Sequence, residues 1–281
     1  MRCEGGREAM NYPQRHSLAP IVRVLDSGTK PVHLIADDTQ EYVAKHNRGR
    51  EPCTWLRNEL LAHAYARIWD LPTLEGAFMR VDPGHVGGQA STFCQPAYFK
   101  HTSFATRYRR DSTEFNQFLD QLTYHESKRF HNRQDLLKIA LFDIWLANED
   151  RTPGNPNLLV TADEQGHTIR VMDHEHIFNS NGIERPLSLL TLEDSILTHP
   201  ALRTLLGKEF NKDTGMATNL VADLVPLAQA CEQRTDEILS YLPADWQVDV
   251  ATFTPLVRRR LFAGEWLRDV GQHFHELLSR C

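Results

Sequence analysis

The stretch Ala147-Asn-Glu-Asp-Arg-Thr-Pro-Gly-Asn-Pro-Asn-Leu-Leu-Val160 decides the fold of this chain. It follows a segment, Leu136 to Leu146, that is apolar nearly all round and therefore predicts a buried helix. Its last residues are apolar and predict a short strand. Because Pro153-Gly154 and Asn155-Pro156 are turn residues, Asp150 to Asn157 is predicted to be a loop between helix and strand.

This loop carries a pair of polar side chains with a defined spacing. Asp150 and Asn155 stand five residues apart, and Arg151 directly follows the aspartate. Phosphoryl transfer to a hydroxyl needs a carboxylate that orients the nucleophile and accepts its proton. It also needs a ligand that holds magnesium, and an amide oxygen does so without adding charge. The spacing therefore makes Asp150 a candidate base and Asn155 a candidate metal ligand.

A second acidic residue follows the next predicted strand. The strands Asn157 to Thr161 and Thr168 to Met172 are predicted to form a hairpin, and Asp173 comes at the end of the second one. Magnesium in nucleotide sites takes one or two carboxylates together with phosphate oxygens. Asp173 is therefore a second candidate ligand of magnesium bound to nucleotide phosphates.

The first third of the chain has the alternation of a small sheet. Three strands are predicted, Ile21 to Leu25, Val32 to Ile35 and Glu41 to His46. Lys45 on the third strand is a candidate contact for nucleotide phosphates. The turn Ser27-Gly28-Thr29 is a candidate cover for those phosphates, since backbone amides can cradle phosphate oxygens and Gly28 permits a close approach.

A helix is predicted after these strands, from Thr54 to Asp70, with apolar residues at a spacing of four. Glu59 lies about 60° from Leu56 on the helical wheel, so it borders the buried stripe. From that position Glu59 could pair with Lys45.

The remaining pattern sets the expected organisation. More strands are expected between Leu74 and Tyr98, an amphipathic helix from Glu114 to Phe130, and mainly helices after Leu187. We therefore expect an α+β fold with a loose N-terminal arm (1–15), a sheet-rich N-lobe with one helix (16–97) and a helical C-lobe (98–281). The C-lobe would carry the Asp150 loop and the metal-binding hairpin.

Together these motifs are similar to those of the HipA-like kinases. The resemblance rests on a strand lysine, a helix glutamate, Asp-Arg-x-x-x-Asn and a strand-borne aspartate. The phrases Arg57-Asn-Glu-Leu-Leu-Ala-His63 and Asn155-Pro-Asn-Leu-Leu159 add to it. It covers roughly Ile21 to Phe178, and the loop spacing is also similar to the catalytic loop of phosphoinositide kinases. Two features depart from ordinary protein kinases: the chain has no G-x-G-x-x-G loop, and His174 follows the metal aspartate.

The resemblance implies a bilobal kinase-like fold with ATP between the lobes and an adenine-contacting hinge within Thr92 to Lys100. By matching position, it implies Asp150 as catalytic base, Asn155 and Asp173 as Mg²⁺ ligands, and Lys45 as a phosphate contact. It implies γ-phosphoryl transfer to a protein serine or threonine. It also implies that a serine near the Ser27-Gly28-Thr29 turn can be autophosphorylated as an inhibitory switch.

Several alternatives stay open on the sequence alone. The acceptor could be a small molecule or a lipid headgroup, and the fold could bind nucleotide without catalysis. The segment Asp173-His-Glu-His176 allows a zinc hydrolase instead, in which His174 and His176 share one face of a strand and His167 supplies a third ligand.

Composition restricts the classes of binding partner and the cellular compartment that we expect for this protein. The net charge of -6 argues against nucleic acid as the main partner, because phosphate backbones demand clustered cations. The five cysteines contain no Cys-x-x-Cys pair, so neither a zinc site nor a disulfide framework is signalled. No apolar run reaches about 18 residues, and the first fifteen residues lack the apolar core of a secretory signal. A cytoplasmic protein with reduced thiols and no membrane span is expected; its oligomeric state is open.

Overall fold

The computed structural model describes residues 10–89, 94–120, 122–180, 182–207 and 214–281. The chain divides into two compact units. The first contains the described residues of 1–50 and 75–108, and the second contains those of 51–74 and 109–281.

The first unit is built on a six-stranded sheet. Its strands lie in the order β1-β5-β6-β4-β3-β2, where β1 pairs parallel with β5 and the other pairs are antiparallel. The strands are β1 (Gln14–His16), β2 (Arg23–Val24), β3 (Val32–Ile35), β4 (Glu41–Lys45), β5 (Gly76–Arg80) and β6 (Ser103–Arg107). A short helix, α2 (Pro83–Val86), and two 3-10 turns, Gly87–Gln89 and Pro96–Phe99, complete the unit.

Alternation of side chains explains how β4 is held in this sheet. Tyr42 and Ala44 are buried, whereas the other three residues of the strand are only partly buried. Successive side chains of a strand point to opposite faces, so one face of β4 joins the apolar core that includes Val32 and Leu34. This alternation leaves Lys45 partly exposed at the end of the strand.

Two expectations for this region are corrected. The last residues of the proposed loose arm form β1, where Gln14 and Arg15 pair with β5; residues 1–9 lie outside the described part of the chain. The strand expected from Ile21 to Leu25 shrinks to β2, because Ile21 donates its backbone amide to His85 O at 3.0 Å instead of to a neighbouring strand.

The second unit is mainly helical. Its helices are α1 (Thr54–Ile68), α3 (Phe115–Leu119), α4 (Tyr124–Ser127), α5 (Asp135–Leu146), α6 (Pro200–Leu206), α7 (Thr214–Ser240), α8 (Val250–Leu261) and α9 (Gly264–Arg280). Two 3-10 turns, Ile196–Thr198 and Ala244–Trp246, lie among them. A three-stranded antiparallel sheet in the order β7-β8-β9 contains β7 (Ser112–Glu114), β8 (Leu158–Ala162) and β9 (His167–Val171). Helix α5 packs against α7 and α9, and α1 packs against α7.

The predicted buried helix before the Asp150 loop is confirmed as α5. Its apolar residues are buried on all sides. Trp145 stacks on Trp69 with ring centroids 5.2 Å apart, and its Nε1 donates to Leu261 O at 2.9 Å. A helix whose apolar residues are buried therefore leads into the loop.

The single helix predicted from Glu114 to Phe130 is wrong. The segment contains the end of β7 and two short helices, α3 and α4. Thr123 starts the second helix by accepting a hydrogen bond from the Glu126 amide at 3.2 Å, a capping arrangement that begins a new helix. Phe118 and Phe130 both pack on the His167 ring, so tertiary contacts set the direction of the chain here.

The compact units differ from the expected lobe boundaries in two places. Helix α1 groups with the helical unit, and residues 98–108 group with the sheet. The boundaries 16–97 and 98–281 stay a prediction. Among the helices of the described residues, none is both long and apolar enough to cross a membrane.

Candidate active site

The Asp150 loop begins where α5 is stopped. Ala147 takes a left-handed conformation with φ of 50°, which ends the helix. The next residue, Asn148, is fully buried, and both its backbone and side-chain nitrogens donate to Asp143, at 2.9 and 2.8 Å. The chain therefore leaves the helix in a fixed direction.

Arg151 holds the loop together from inside the protein. Its side chain is fully buried, with Nε 2.8 Å from Asp143 Oδ2. Its Nη1 donates to the carbonyls of Pro156 (3.0 Å) and Asn157 (2.5 Å), and its Nη2 donates to Met172 O (3.3 Å). Burial raises the pKa of Asp143, and the charge of Arg151 opposes that rise. One guanidinium thus joins both ends of the loop to the end of β9.

Two amide side chains hold the carboxylate of Asp150. Its Oδ2 accepts a hydrogen bond from Asn155 Nδ2 at 3.1 Å and another from Asn157 Nδ2 at 2.8 Å. Asn155 Nδ2 also donates to the backbone oxygen of Asp150 at 3.2 Å. Because this nitrogen faces Asp150, Oδ1 of Asn155 faces the other way, as a cation ligand would have to.

Asn157 is the site residue that sequence reasoning missed. It lies at the junction of loop and strand with φ of 48°, a conformation that asparagine tolerates better than most residues. The segment Asn155-Pro-Asn157 was the available signal, but the sequence pattern places its second asparagine only at the boundary between the predicted loop and strand.

Asp173 follows β9 at a point where the backbone is also fixed. The Met172 amide donates to Asn157 O at 3.1 Å, so the end of β9 stays paired with the loop. Asp173 then takes φ of 57°. The next amide, that of His174, donates to Glu59 Oε2 at 2.7 Å. Buried Glu59 on α1 therefore fixes the backbone directly after the metal-ligand candidate.

His176 connects the two candidate carboxylates electrostatically. Glu175 raises the pKa of His176 most, through contact with its ring, and burial partly opposes that rise. Asp150 and Asp173 each raise the same pKa further through their charges. Both carboxylates therefore act on one imidazole, as expected if they belong to one site.

The donors on this side of the site suit magnesium. Asn155 offers a neutral amide oxygen and Asp173 a carboxylate. Mg²⁺ prefers oxygen ligands with one or two carboxylates, completed by phosphate and water. The chemistry of this donor set therefore fits a magnesium ion that is bound together with nucleotide phosphates.

The described residues do not form the zinc site of the hydrolase alternative. Among them, no group of three or more His, Cys, Asp or Glu side chains is arranged to hold a metal ion. His167 is engaged by Glu126 at 2.6 Å, and His176 contacts Ser180 at 3.0 Å. His174 is fully buried beside Glu59. Each of the three histidines thus has a separate partner, and the described residues give the zinc-hydrolase alternative no support.

The remaining predicted site residues lie in the first unit. Lys45 ends β4 opposite Phe104. Ser27 and Gly28 are exposed in a turn between β2 and β3, and Thr29 is partly buried there. Arg48 Nη2 donates to Gly28 O at 2.8 Å, and a Cβ added at Gly28 would meet no atom within 4 Å. Phosphate binding by these residues, and the Lys45–Glu59 pair, stay predictions.

The predicted adenine hinge also stays a prediction. Residues 92 and 93 of the Thr92 to Lys100 segment lie outside the described residues. The part from Pro96 to Phe99 forms a 3-10 turn with Phe99 buried.

Comparison with known proteins now decides the family. The family model described as HipA-like kinase matches residues 19–191. The chain belongs to the HipA-like kinase family. The resemblance inferred from Lys45, Glu59, Asp150, Asn155 and Asp173 is thereby confirmed at the level of the family. A sequence comparison with curated proteins finds no match for this HipA-like kinase.

Solved structures share its fold. One is HipA of the Shewanella oneidensis MR-1 toxin–antitoxin system, solved with HipB and operator DNA. It has 12% identity and a TM-score of 0.50, with 89% of this chain and 67% of that chain covered. Another is the Helicobacter pylori proinflammatory kinase CtkA, with 11% identity, a TM-score of 0.50, and 94% and 99% covered. Identities this low establish a common fold only. They confirm the expected α+β kinase-like fold, with a sheet-rich N-terminal part and a helical C-terminal part.

Proposed function

We propose that this HipA-like kinase transfers the γ-phosphoryl group of Mg-ATP to the hydroxyl of a protein serine or threonine. The observation that carries the proposal is the clamping of Asp150 by Asn155 and Asn157 in a loop fixed by buried Arg151. A carboxylate held in this way is oriented before substrate binds, and phosphoryl transfer depends mainly on positioning and electrostatics.

Each side chain has one role in this proposal. Asp150 orients the acceptor hydroxyl and accepts its proton. Asn155 Oδ1 and the Asp173 carboxylate hold magnesium, which when bound neutralises charge on the phosphates. Lys45 contacts the phosphates. Glu59 keeps Asp173 in place through the His174 amide, whether or not it also pairs with Lys45.

The cover and the acceptor belong to the same proposal. The Ser27-Gly28-Thr29 turn would lie over the phosphates, where a phosphate on Ser27 or Thr29 would repel ATP. Membership of a kinase family favours phosphotransfer over an inactive nucleotide-binding module.

A protein acceptor is preferred to a small molecule or lipid headgroup on the family resemblance. The HipA neighbour was solved with operator DNA; for this chain, with a net charge of -6, we expect no direct nucleic-acid partner.

The test uses γ-labelled ATP, magnesium and a cell lysate. Wild-type protein should label at least one lysate protein on serine or threonine. Asp150→Asn keeps the size of the side chain but removes the proton acceptor, so labelling should fall by roughly 100-fold or more while ATP still binds. Asp223→Asn, an exposed aspartate on α7, is the matched control and should label normally.

Two results would contradict the proposal. Wild-type labelling by Asp150→Asn would leave Asp150 as a turn residue only. Label confined to small molecules or lipids would keep the kinase but replace its acceptor.

A further inference from the structure

An unusual turn follows the candidate metal ligand. Phe178, Asn179 and Ser180 have φ values of 64°, 52° and 52°, so three successive L-residues are left-handed. Each such residue costs roughly 1–2 kcal/mol, and such turns persist only where the surroundings enforce them.

Backbone hydrogen bonds enforce this turn. The amides of Phe178 and Asn179 donate to Leu146 O and Ala147 O, at 2.9 and 2.8 Å, and these carbonyls end the helix that leads into the Asp150 loop. The Asn179 side chain accepts from the Ser188 amide at 2.8 Å and donates to Ser188 O at 3.1 Å. The position of Ser180 is therefore tied to the helix that also positions Asp150.

The hydroxyl of Ser180 ends a chain of polar groups. Its Oγ lies 3.0 Å from His176 Nδ1, and His176 Nε2 lies 3.5 Å from Glu175 Oε1. The Glu175 side chain is buried, whereas Ser180 is exposed. An imidazole between a hydroxyl and a carboxylate can take the hydroxyl proton while the carboxylate stabilises the resulting cation.

The charges of the candidate active site also act on this imidazole. Asp150 and Asp173 both act on His176, and with Glu175 they raise its pKa, which makes the neutral ring a stronger base. The Ser180 hydroxyl is thus hydrogen-bonded to His176. The charges of Asp150, the base candidate, and Asp173, a metal-ligand candidate, both raise the pKa of that imidazole.

We propose that Ser180 is a phosphorylation site modified by its own chain. The inference rests on the proposed kinase activity. In the step, Ser180 Oγ bonds to the γ-phosphorus of ATP as the bond from that phosphorus to the β–γ bridging oxygen breaks. ADP leaves with the bond electrons, and the hydroxyl proton passes to His176 Nδ1.

The first test is incubation of the full chain with magnesium and ATP, followed by peptide mapping. Phosphate should appear on Ser180, at a rate per molecule that dilution of the protein does not change. Asp173→Ala, which removes a metal-ligand candidate, should abolish it. Ser188→Ala is the matched control, because Asn179 contacts the Ser188 backbone, and it should leave the label on Ser180.

Two variants separate an acceptor from a serine that merely holds His176. Ser180→Thr should carry the label as phosphothreonine. His176→Gln can hydrogen-bond but cannot take a proton, so the share of transferred phosphate found on Ser180 should fall at least tenfold.

The outcomes distinguish this inference from the proposed function. One outcome would overturn the Ser180 site and leave the proposed kinase activity intact: label appears on lysate proteins, or on Ser27 or Thr29, and none appears on Ser180. A rate that rises with protein concentration would overturn modification within one chain. Absence of both ADP formation and label on any acceptor would overturn the kinase and the inference together.

Discussion

Asn157 reaches Asp150 Oδ2 more closely than Asn155 does, at 2.8 Å against 3.1 Å, and it does so from a left-handed backbone. Asparagine suits both demands, since it donates through Nδ2 and tolerates positive φ. Asn155 Nδ2 also donates to Asp150 O, and Arg151 Nη1 donates to Asn157 O, so each makes a further hydrogen bond within the loop.

We predict that Asn157→Asp lowers the rate of phosphoryl transfer by roughly tenfold or more. The substitution keeps the size and the backbone tolerance, but it removes the donor and places a second carboxylate against Asp150. Asn157→Gly, which accepts positive φ and adds no charge, should lose less. Initial rates at saturating ATP measure both, and a wild-type rate in Asn157→Asp would remove Asn157 from the site.

His63 makes the stability of the protein depend on pH. It is fully buried on α1, where Nε2 donates to Leu74 O at 2.8 Å. Burial lowers the pKa of His63 from 6.5 to about 4. Between these pH values His63 is protonated in the unfolded chain but stays neutral in the folded chain. The free energy of unfolding therefore falls as pH falls from 6.5 to 4. The loss from His63 is roughly 3 kcal/mol.

We predict that His63→Gln makes the pH dependence shallower by about one proton across this window. Burial also lowers the pKa of His46 to about 4, so part of the slope should remain. Urea unfolding at several pH values measures the slope. His275→Gln, on the exposed side of α9, is the control, and an equal slope in wild type and His63→Gln would refute the assignment.

At the scale of elements, one buried ion pair ties the loop between α5 and β8 back to α5. Arg151 and Asp143 are 2.8 Å apart with almost no exposure. Such a pair is not necessarily a large net stabiliser, but removing one partner strands the other charge in the interior. The bond from Arg151 to Met172 O would be lost as well, and with it a direct link between loop and hairpin.

We predict that Arg151→Met lowers the free energy of unfolding by about 3–5 kcal/mol. Adding Asp143→Asn should restore part of that loss, because it removes the stranded charge and keeps an oxygen for Asn148. Denaturant unfolding of the two single variants and the double variant measures the coupling. A cost below about 1 kcal/mol for Arg151→Met would show that the pair does not hold the loop.

The scale of elements also shows where local pattern is enough. The hairpin of β8 and β9 and the buried α5 were predicted, since alternation and all-round apolarity identify them without reference to distant residues. The prediction of one helix from Glu114 to Phe130 was wrong because Thr123 caps a new helix within this segment. In addition, Phe118 and Phe130 pack against the His167 ring. Distant contacts override periodicity there.

For the whole molecule, nucleotide binding should appear as added stability. Mg-ATP at 100 times its dissociation constant adds about 2.7 kcal/mol, which for a chain of this length raises Tm by about 5 °C. We predict that EDTA abolishes the shift and that Asp173→Ala greatly reduces it. Thermal unfolding with ATP alone, magnesium alone and both together is the measurement, and an equal shift in Asp173→Ala would mean that Asp173 does not bind the metal.

The sequence by itself determined the family, the order of its motifs and the loop that carries Asp150, Arg151 and Asn155. These features depend on residue type and short spacing, which any single segment displays. The tertiary structure decided which distant residues contact each other. Glu59 meets the His174 amide across more than a hundred residues, and His167 is taken by Glu126 instead of joining a metal site. Such contacts depend on how elements that are distant in sequence pack together. Short-range sequence patterns do not show which elements these are.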